Sequence, residues 1–412
     1  MARRNDRFVV GLDIGTTKIC CVIAEKQGDG GLDIIGIGRS ASRGLRKGVV
    51  VNVDQTVEAL KAAVEEAELM AGVNVEAAFV GVAGGHVKGF NSRGVISIAG
   101  RDREITREDV ERVIESARAV QLPTDRVIFH AVPRDFILDE QDGIRDPVGM
   151  TGSRLEANAH IVTGAVPSLS NITNCVNRAG IEVIEMVLEQ LAASETTLTH
   201  DEKELGVALV DIGGGTTDLA IFEHGAICHT AVLPTGGDHF TNDIAVGLRT
   251  PVPEAERIKV RYGCALASLV EDDQTIEVPS VGGRKPRVLS RHILCEILQP
   301  RTEEIFNLLQ EEVSRAGYEE ALTSGLVVTG GGAILEGVPE IAEQIFDLPV
   351  RRGSPGGIGG LADGVGSPIY STVVGLVMYG AAAPAQSHKM TVPAFLLGKV
   401  GVRMRSWFSE LF

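Results

Sequence analysis

Apolar residues fill positions 8–14 and 19–25, interrupted by Gly15-Thr16-Thr17. Two such runs around a short glycine turn predict a β-hairpin. From 54 to 70 the spacing becomes helical: Val57, Leu60, Val64 and Ala67 form one stripe, and Asp54 stands where a capping side chain belongs. A further strand is expected at Ala77–Val82. Between about 84 and 160 the charge density rises. Thr106-Arg-Glu-Asp109 has the form of a capping box and opens a helix with Val110, Val113, Ile114 and Ala117 on one face. Strand-like runs at 94–98 and 126–138 flank it, so this stretch reads as an inserted α+β domain. Residues 180–199 return to a strand followed by a helix.

A second hairpin is predicted from 206–211 through a turn at 213–217 to 219–222. Residues 251–281 read as a helix followed by loops. A long helical pattern covers 289–316, and Pro300 inside it predicts a kink or two helices. A short apolar strand at 326–329 ends in Gly330-Gly331-Gly332. Residues 349–368, rich in Gly and Pro, read as loop. The uncharged stretch at 371–388 is interrupted by glycines and prolines, and its apolar part is too short to span a bilayer.

The two hairpins share more than shape. The first turn reads Asp13-Ile-Gly-Thr-Thr-Lys18 and the second Asp211-Ile-Gly-Gly-Gly-Thr-Thr-Asp218. Either alone can be an ordinary turn, but two matched Asp-Ile-Gly cores, each after an apolar strand, imply an internal duplication. Such turns suit phosphate. Glycine at Gly15, Gly213, Gly214 and Gly215 lets backbone N–H groups approach an anion without side-chain obstruction. Thr16, Thr17 and Thr216 add hydroxyls, and Lys18 adds a point charge. Asp13 and Asp211, at strand ends, suit Mg2+ held through its waters. No Walker-type G-x-x-x-x-G-K-[ST] loop occurs.

Composition narrows the class. A net charge of −16 and only 4% aromatic residues in 412 argue against a general nucleic-acid surface or a stacking platform for single strands. The six cysteines form no C-x-x-C pair and no zinc-like spacing with histidine, so they read as buried reduced thiols. The N-terminus is charged and runs straight into a strand, unlike a signal peptide.

The Asp13 loop, the Asp211 loop and the glycine run at 330–332 resemble the phosphate-1, phosphate-2 and adenosine motifs of the actin/Hsp70/sugar-kinase ATPases. Longer segments resemble the bacterial FtsA cell-division family: Val49-Val-Val-Asn-Val-Asp54, Asp146-Pro-Val-Gly-Met150, Leu205 to Thr216, Ala255-Glu-Arg-Ile-Lys-Val-Arg-Tyr-Gly263 and Val278-Pro-Ser-Val-Gly-Gly283. The resemblance implies an α/β fold of duplicated actin-like lobes, 1A and 2A, around a nucleotide cleft, with an inserted 1C domain and a 2B subdomain. On that scheme lobe 1A takes residues 1–83, 163–200 and 370–383, and 1C takes 84–162. Lobe 2A takes 201–250 and 317–369, and 2B takes 251–316. The resemblance further implies ATP and Mg2+ as cofactors. Glu256 and Lys259 would contact adenine and ribose, which fits their spacing on one helix face. Gly237 and Gly330, Gly331 and Gly332 would border the cleft. Glu189 or Gln190, on the helix joining the lobes, would position water for hydrolysis, although slow or negligible turnover is the expectation.

After a linker at 384–394, residues 395–412 carry Val400, Met404, Trp407, Phe408 and Leu411 at helical spacing, with Lys399, Arg403, Ser406 and Glu410 opposite. An apolar face with an aromatic anchor and local cations describes an interfacial helix. The alternatives are a helix docked on the protein's own core or on a partner. The resemblance favours anionic lipids on the cytoplasmic side of the inner membrane. It also implies self-association into an actin-like protofilament through 1C, recruitment of later division proteins, and capture of the C-terminal tail of the tubulin-like FtsZ at Arg301 and Glu304. Without it, that pair reads as a surface salt bridge. A sugar-type metabolic kinase of the same fold is the rival reading.

Overall fold

The computed structural model describes residues 7–28, 30–99, 103–280 and 285–383. β1 (Phe8–Ile14) and β2 (Lys18–Lys26) form the first hairpin, and β3 (Leu32–Ala41) extends it antiparallel. A small hairpin, β4 (Leu45–Arg46) and β5 (Val49–Val50), leads into α1 (Val53–Ala71). The stripe Val57, Leu60, Val64 and Ala67 is buried as expected. The cap, however, is Asn52. Its backbone is extended and its side chain accepts from the Gln55 N–H at 3.1 Å, whereas Asp54 lies in the first turn and pairs with Arg178. Asn52→Ala is therefore expected to cost about 1 kcal/mol, read as a lowered urea midpoint; Asp54→Ala should cost less.

β6 (Ala77–Val82) lies parallel to β1. The chain then builds a separate sheet from β7 (Lys88–Ser97), α2 (Arg107–Arg118), β8 (Arg126–Leu138), β9 (Gln141–Ile144) and β10 (Arg154–Ala165), with strand order β7-β10-β8-β9. The Thr106–Asp109 capping box is present, and Val113 and Ala117 of α2 are buried in this sheet's small core. The strand expected at 94–98 is the end of the longer β7. α3 (Val166–Arg178) and β11 (Glu182–Leu188) return to the first sheet, where β11 pairs parallel with β6. α4 (Glu189–Thr197) starts where β11 ends, and α5 (His200–Leu205) follows.

The pattern then repeats. β12 (Val207–Ile212), β13 (Thr217–Glu223) and β14 (Ala226–Leu233) form an antiparallel meander. α6 (Gly237–Gly247) and α7 (Val252–Tyr262) follow. The region read as loops contains a hairpin, β15 (Thr275–Val278) with β16 (Arg287–Ser290). α8 (Arg291–Ala316) is one helix running through Pro300, not two. Buried Leu294 and Leu298 before the proline and Ile305 and Phe306 after it anchor both halves to one core, which outweighs the roughly 3 kcal/mol that an interior proline costs. β17 (Leu326–Thr329) lies parallel to β12, α9 (Val338–Phe346) follows, and β18 (Val350–Arg352) pairs with β17. Residues 349–368 thus hold more than loop: β19 (Gly359–Gly360) joins the edge of β3, and α10 (Ala362–Val365) follows.

α11 (Ser371–Ala382) occupies the stretch that sequence marked only as uncharged. A helix apolar on most sides must be buried on most sides. It packs on β1 and α4, and a Cβ on Gly375 would stand 1.8 Å from the Ala192 carbonyl, so only glycine permits that approach.

The two main sheets have one topology. In the first, β6 lies parallel beside the meander β1-β2-β3; in the second, β17 lies parallel beside β12-β13-β14. The inserted sheet is attached to the first lobe yet also touches the second. Asn91 donates to the Cys228 carbonyl, and His160 bonds Thr230 at 2.9 Å.

Candidate functional site

The duplication extends to register. Ile14 faces Ile19 across the first hairpin and Ile212 faces Thr217 across the second, so each turn has equal length. Asp13 sits opposite Cys20, and Asp211 sits opposite Asp218. Both turns close the same way: the Gly15 N–H donates to the Lys18 carbonyl and the Gly213 N–H to the Thr216 carbonyl, each at 3.0 Å.

That closure corrects which amides are free. The N–H groups of Gly15 and Gly213 are engaged in their own turns. Those of Thr16, Thr17, Gly214 and Gly215 have no acceptor among the described residues, and these turns meet across the cleft. A Cβ on Gly214 would lie 2.3 Å from Thr17 Cγ2, and one on Gly215 would lie 2.7 Å from Thr16 Oγ1. The cavity between them, about 140 Å³, is lined by both turns and by Gly48, Ala83, Glu189, Gly330, Gly331, Ile369 and Thr372. It is smaller than the roughly 300 Å³ at the low end for small-molecule sites. It accommodates phosphate groups, and the rest of a larger ligand would extend beyond it.

The charges are mostly acidic. Burial, the largest single influence, opposes the charge on Lys18, but Asp13, whose Oδ2 lies 2.6 Å from Nζ, outweighs it together with Cys20 and Asp211 and holds the lysine protonated. Asp211 accepts from Thr372 of α11; burial pushes its carboxyl up to about 6, against the opposing pull of Lys18. Asp218 is pushed up to about 8 by burial and then by Asp211, although it accepts from Thr216 and from Gln190. Glu189 is raised well above the usual carboxylate range, first by burial and then by the charges of Asp13, Asp218 and Asp211. Four carboxyl groups therefore surround the cleft, and among the described residues its one lining cation, Lys18, is already paired. Among the described residues no cluster of three or more ligands forms a ready-made metal cage. The set instead suits Mg2+, which keeps waters and takes one or two carboxylates plus phosphate oxygens.

The other predicted residues fall into three places. Glu189 lines the cavity; Gln190 lies behind it, buried, with Nε2 on Asp218 and Oε1 without a partner. Gly330 and Gly331 line it, and Gly330 at φ +83° passes so near Asp211 that a Cβ would clash with its Oδ1. Gly332 packs instead on Ile212. Gly237 stands behind the second turn, its N–H donating to the Gly213 carbonyl and its own carbonyl accepting from Lys259. Lys259 also bonds Thr241 and pairs with Glu256 at 2.7 Å, so these two brace the second turn from α7 and do not line the cavity. Arg301 is less exposed than a surface pair would be. Its guanidinium forks onto Asp243 of α6 and also reaches Glu304, which is half-exposed. Lys399, Val400, Arg403, Met404, Trp407, Phe408 and Leu411 lie outside the described residues. The six cysteines are free and buried, as expected.

Sequence reading missed four contributors. Asp218 closes the second motif, and its place opposite Asp211 was the available signal. Thr372 and Gly48 arrive from distant segments with no local signature. His130 of β8 is a further support. It accepts the Leu188 N–H at 3.0 Å, immediately before Glu189, and burial lowers its basicity to about 4.

Two like sheets facing each other across a turn-lined cleft define the actin-like ATPase fold. Solved structures with it match nearly the whole chain: the PilM–PilN type IV pilus biogenesis complex (TM-score 0.67, 14% identity, 91% of this chain and 99% of that one) and MreB5 of Spiroplasma citri bound to ADP (TM-score 0.56, 16%, 90% and 96%). At those identities the likeness is one of fold. Sequence comparison is more specific. Residues 208–375 match the model of cell division protein FtsA, and residues 84–163 match the SHS2 domain inserted in FtsA. FtsA of Pseudomonas aeruginosa is 52% identical over 94% of this chain and 93% of its own. FtsA of Escherichia coli is 40% identical over 100% and 98%. The chain belongs to the FtsA family of cell division proteins.

Proposed function

We propose that the chain binds Mg2+-ATP between its lobes, polymerises, and anchors FtsZ filaments to the cytoplasmic face of the inner membrane, where it recruits later division proteins. The observation that carries this reading is the pair of equal turns that line one cavity and leave four N–H groups unengaged among the described residues. The amides of Thr16, Thr17, Gly214 and Gly215 would hold phosphate oxygens, and Asp13 and Asp211 would hold the hydrated metal. Mg2+ supplies positive charge to the phosphates when bound. Glu256 and Lys259, beside Gly237, mark the adenosine side. MreB5 of Spiroplasma citri, similar in fold, is seen bound to ADP and to AMPPNP, which supports an adenine nucleotide.

Glu189 and Asp218 bear on turnover. A general base must be ionised to take a proton from water. Burial and like charges favour the protonated form of both, which supports slow or negligible hydrolysis. A cation in the cleft would shift both toward the ionised form.

The membrane role rests on 395–412. Each basic residue near an anionic leaflet contributes about 1 kcal/mol. Each large apolar side chain contributes roughly 1.5–3 kcal/mol if fully buried. Insertion is partial, helix ordering opposes it, and Glu410 offsets one cation, so a single helix binds reversibly. Many helices on one polymer bind far more tightly through effective concentration. Arg301 and Glu304 remain the proposed contact for the FtsZ tail, with Asp243 holding the arginine in place.

Co-sedimentation with anionic liposomes, ATP and FtsZ tests the reading. FtsZ should pellet only with the intact chain present, and a polymerisation-defective variant should bind liposomes more weakly than wild type. Equal affinity would refute the coupling. Phosphorylation of a small metabolite would favour the kinase alternative.

A further inference from the structure

The turn between β4 and β5 has an unusual residue at its tip. Arg46 pairs with Val49, so Lys47 and Gly48 alone make the connection, and both have positive φ, +50° and +75°. Two-residue turns of this kind favour Asn-Gly or Asp-Gly, because the short polar side chain tolerates the left-handed conformation. Lysine offers no such compensation.

The tip is fixed in place. A Cβ on Gly48 would stand 2.6 Å from the Ala83 carbonyl, and the Gly48 N–H donates to Thr16 Oγ1 at 3.2 Å. A Cβ on Gly215, in the other lobe, would lie 3.1 Å from the Lys47 Cα. The tip thus touches both phosphate-type turns, with Gly48 in the cavity wall. Lys47 itself is exposed and, among the described residues, forms no ion pair. Lys18 is held by Asp13, so among the described residues a polyanion entering this acidic cleft would find no unpaired cation in its wall.

From the strained tip that bridges both turns at the mouth of the cleft, we propose that Lys47 is a nucleotide-sensing residue whose ammonium engages the terminal phosphate of a triphosphate. It thereby favours the closed cleft with ATP over ADP. This rests on the nucleotide reading above. The flexible four-carbon stem lets a point charge reach inward from a rigid turn. The conformational cost at Lys47 fits a residue retained for its charge.

The test is calorimetric binding of Mg2+-ATP and Mg2+-ADP to the full chain and to Lys47→Asn and Lys47→Arg. Asn suits the turn, so the nucleotide-free Lys47→Asn protein should denature no earlier than wild type. Its ATP affinity should fall about tenfold and its ADP affinity by no more than about twofold. Lys47→Arg should keep the preference for ATP. Unchanged ATP affinity in Lys47→Asn overturns the proposal, as does equal loss of both nucleotides together with a lower denaturation midpoint. Wild type that binds neither nucleotide overturns the cleft reading itself.

Discussion

Asp218→Asn makes the nucleotide-free protein more stable at pH 8, and the gain disappears by about pH 4. The carboxyl is pushed from its ordinary 3.8 up to about 8, first by burial and then by Asp211. Between these values the folded state holds a proton that the unfolded chain has released. Stability from this group is therefore complete below about 4 and is lost as pH rises through about 8. Asp211, raised to about 6, and Glu189, also raised, act in the same direction, so the wild-type fold without ligand weakens from mildly acidic to mildly basic pH. Asparagine removes one of these charges and keeps the shape. Its oxygen still accepts from Gln190, and its amide donates to the Thr216 hydroxyl, which turns to accept. Taken alone the shift is worth up to about 5 kcal/mol. Shared protonation among Asp218, Asp211 and Glu189 lowers the expected gain to about 2–3 kcal/mol at pH 8. Urea midpoints at pH 5 and pH 8 measure it. A midpoint at pH 8 no higher than wild type would mean that water or a neighbouring cation already relieves the cluster.

Most of what positions this site could be read locally. The two hairpins were legible because their turns need glycine and their strands are apolar, and both causes lie within a few residues. The α2 capping box and the α1 stripe are local in the same sense. What escaped depends on distant partners. α11 has no period because it is buried on most sides, so its sequence resembles an uncharged spacer. β19 exists because a neighbouring strand, β3, offers an edge. The rival caps Asn52 and Asp54 stand two residues apart, and only the backbone angle at 52 decides between them. The site followed the same rule. Asp13, Lys18, Asp211 and the glycines of the second turn were found by motif. That Gly237 braces the turn from behind, and that Thr372 reaches Asp211, follow from packing alone.

Gly214→Val abolishes tight nucleotide binding while leaving both lobes folded. The first added carbon would stand 2.3 Å from Thr17 Cγ2, 2.8 Å from its Oγ1 and 3.1 Å from its Cβ. Rotating the threonine cannot relieve this, since every heavy atom of its side chain is within contact, so the turns must separate. The cost falls on the closed cleft, because each hairpin keeps its own strand pairing and the Gly213-to-Thr216 bond. Only the closed arrangement presents both sets of N–H groups to one ligand, so ATP affinity should drop about a hundredfold. Thr17→Gly in the same chain removes the opposing side chain. The double variant should then recover much of the loss, a coupling of opposite sign to that expected for two independent defects. Thr17→Gly alone separates the steric role from any contribution of the hydroxyl. If Gly214→Val binds ATP as wild type does, the ligand is not held between the turns. If the double variant is as weak as Gly214→Val, the valine acts on the second turn's own amides and not by wedging the lobes.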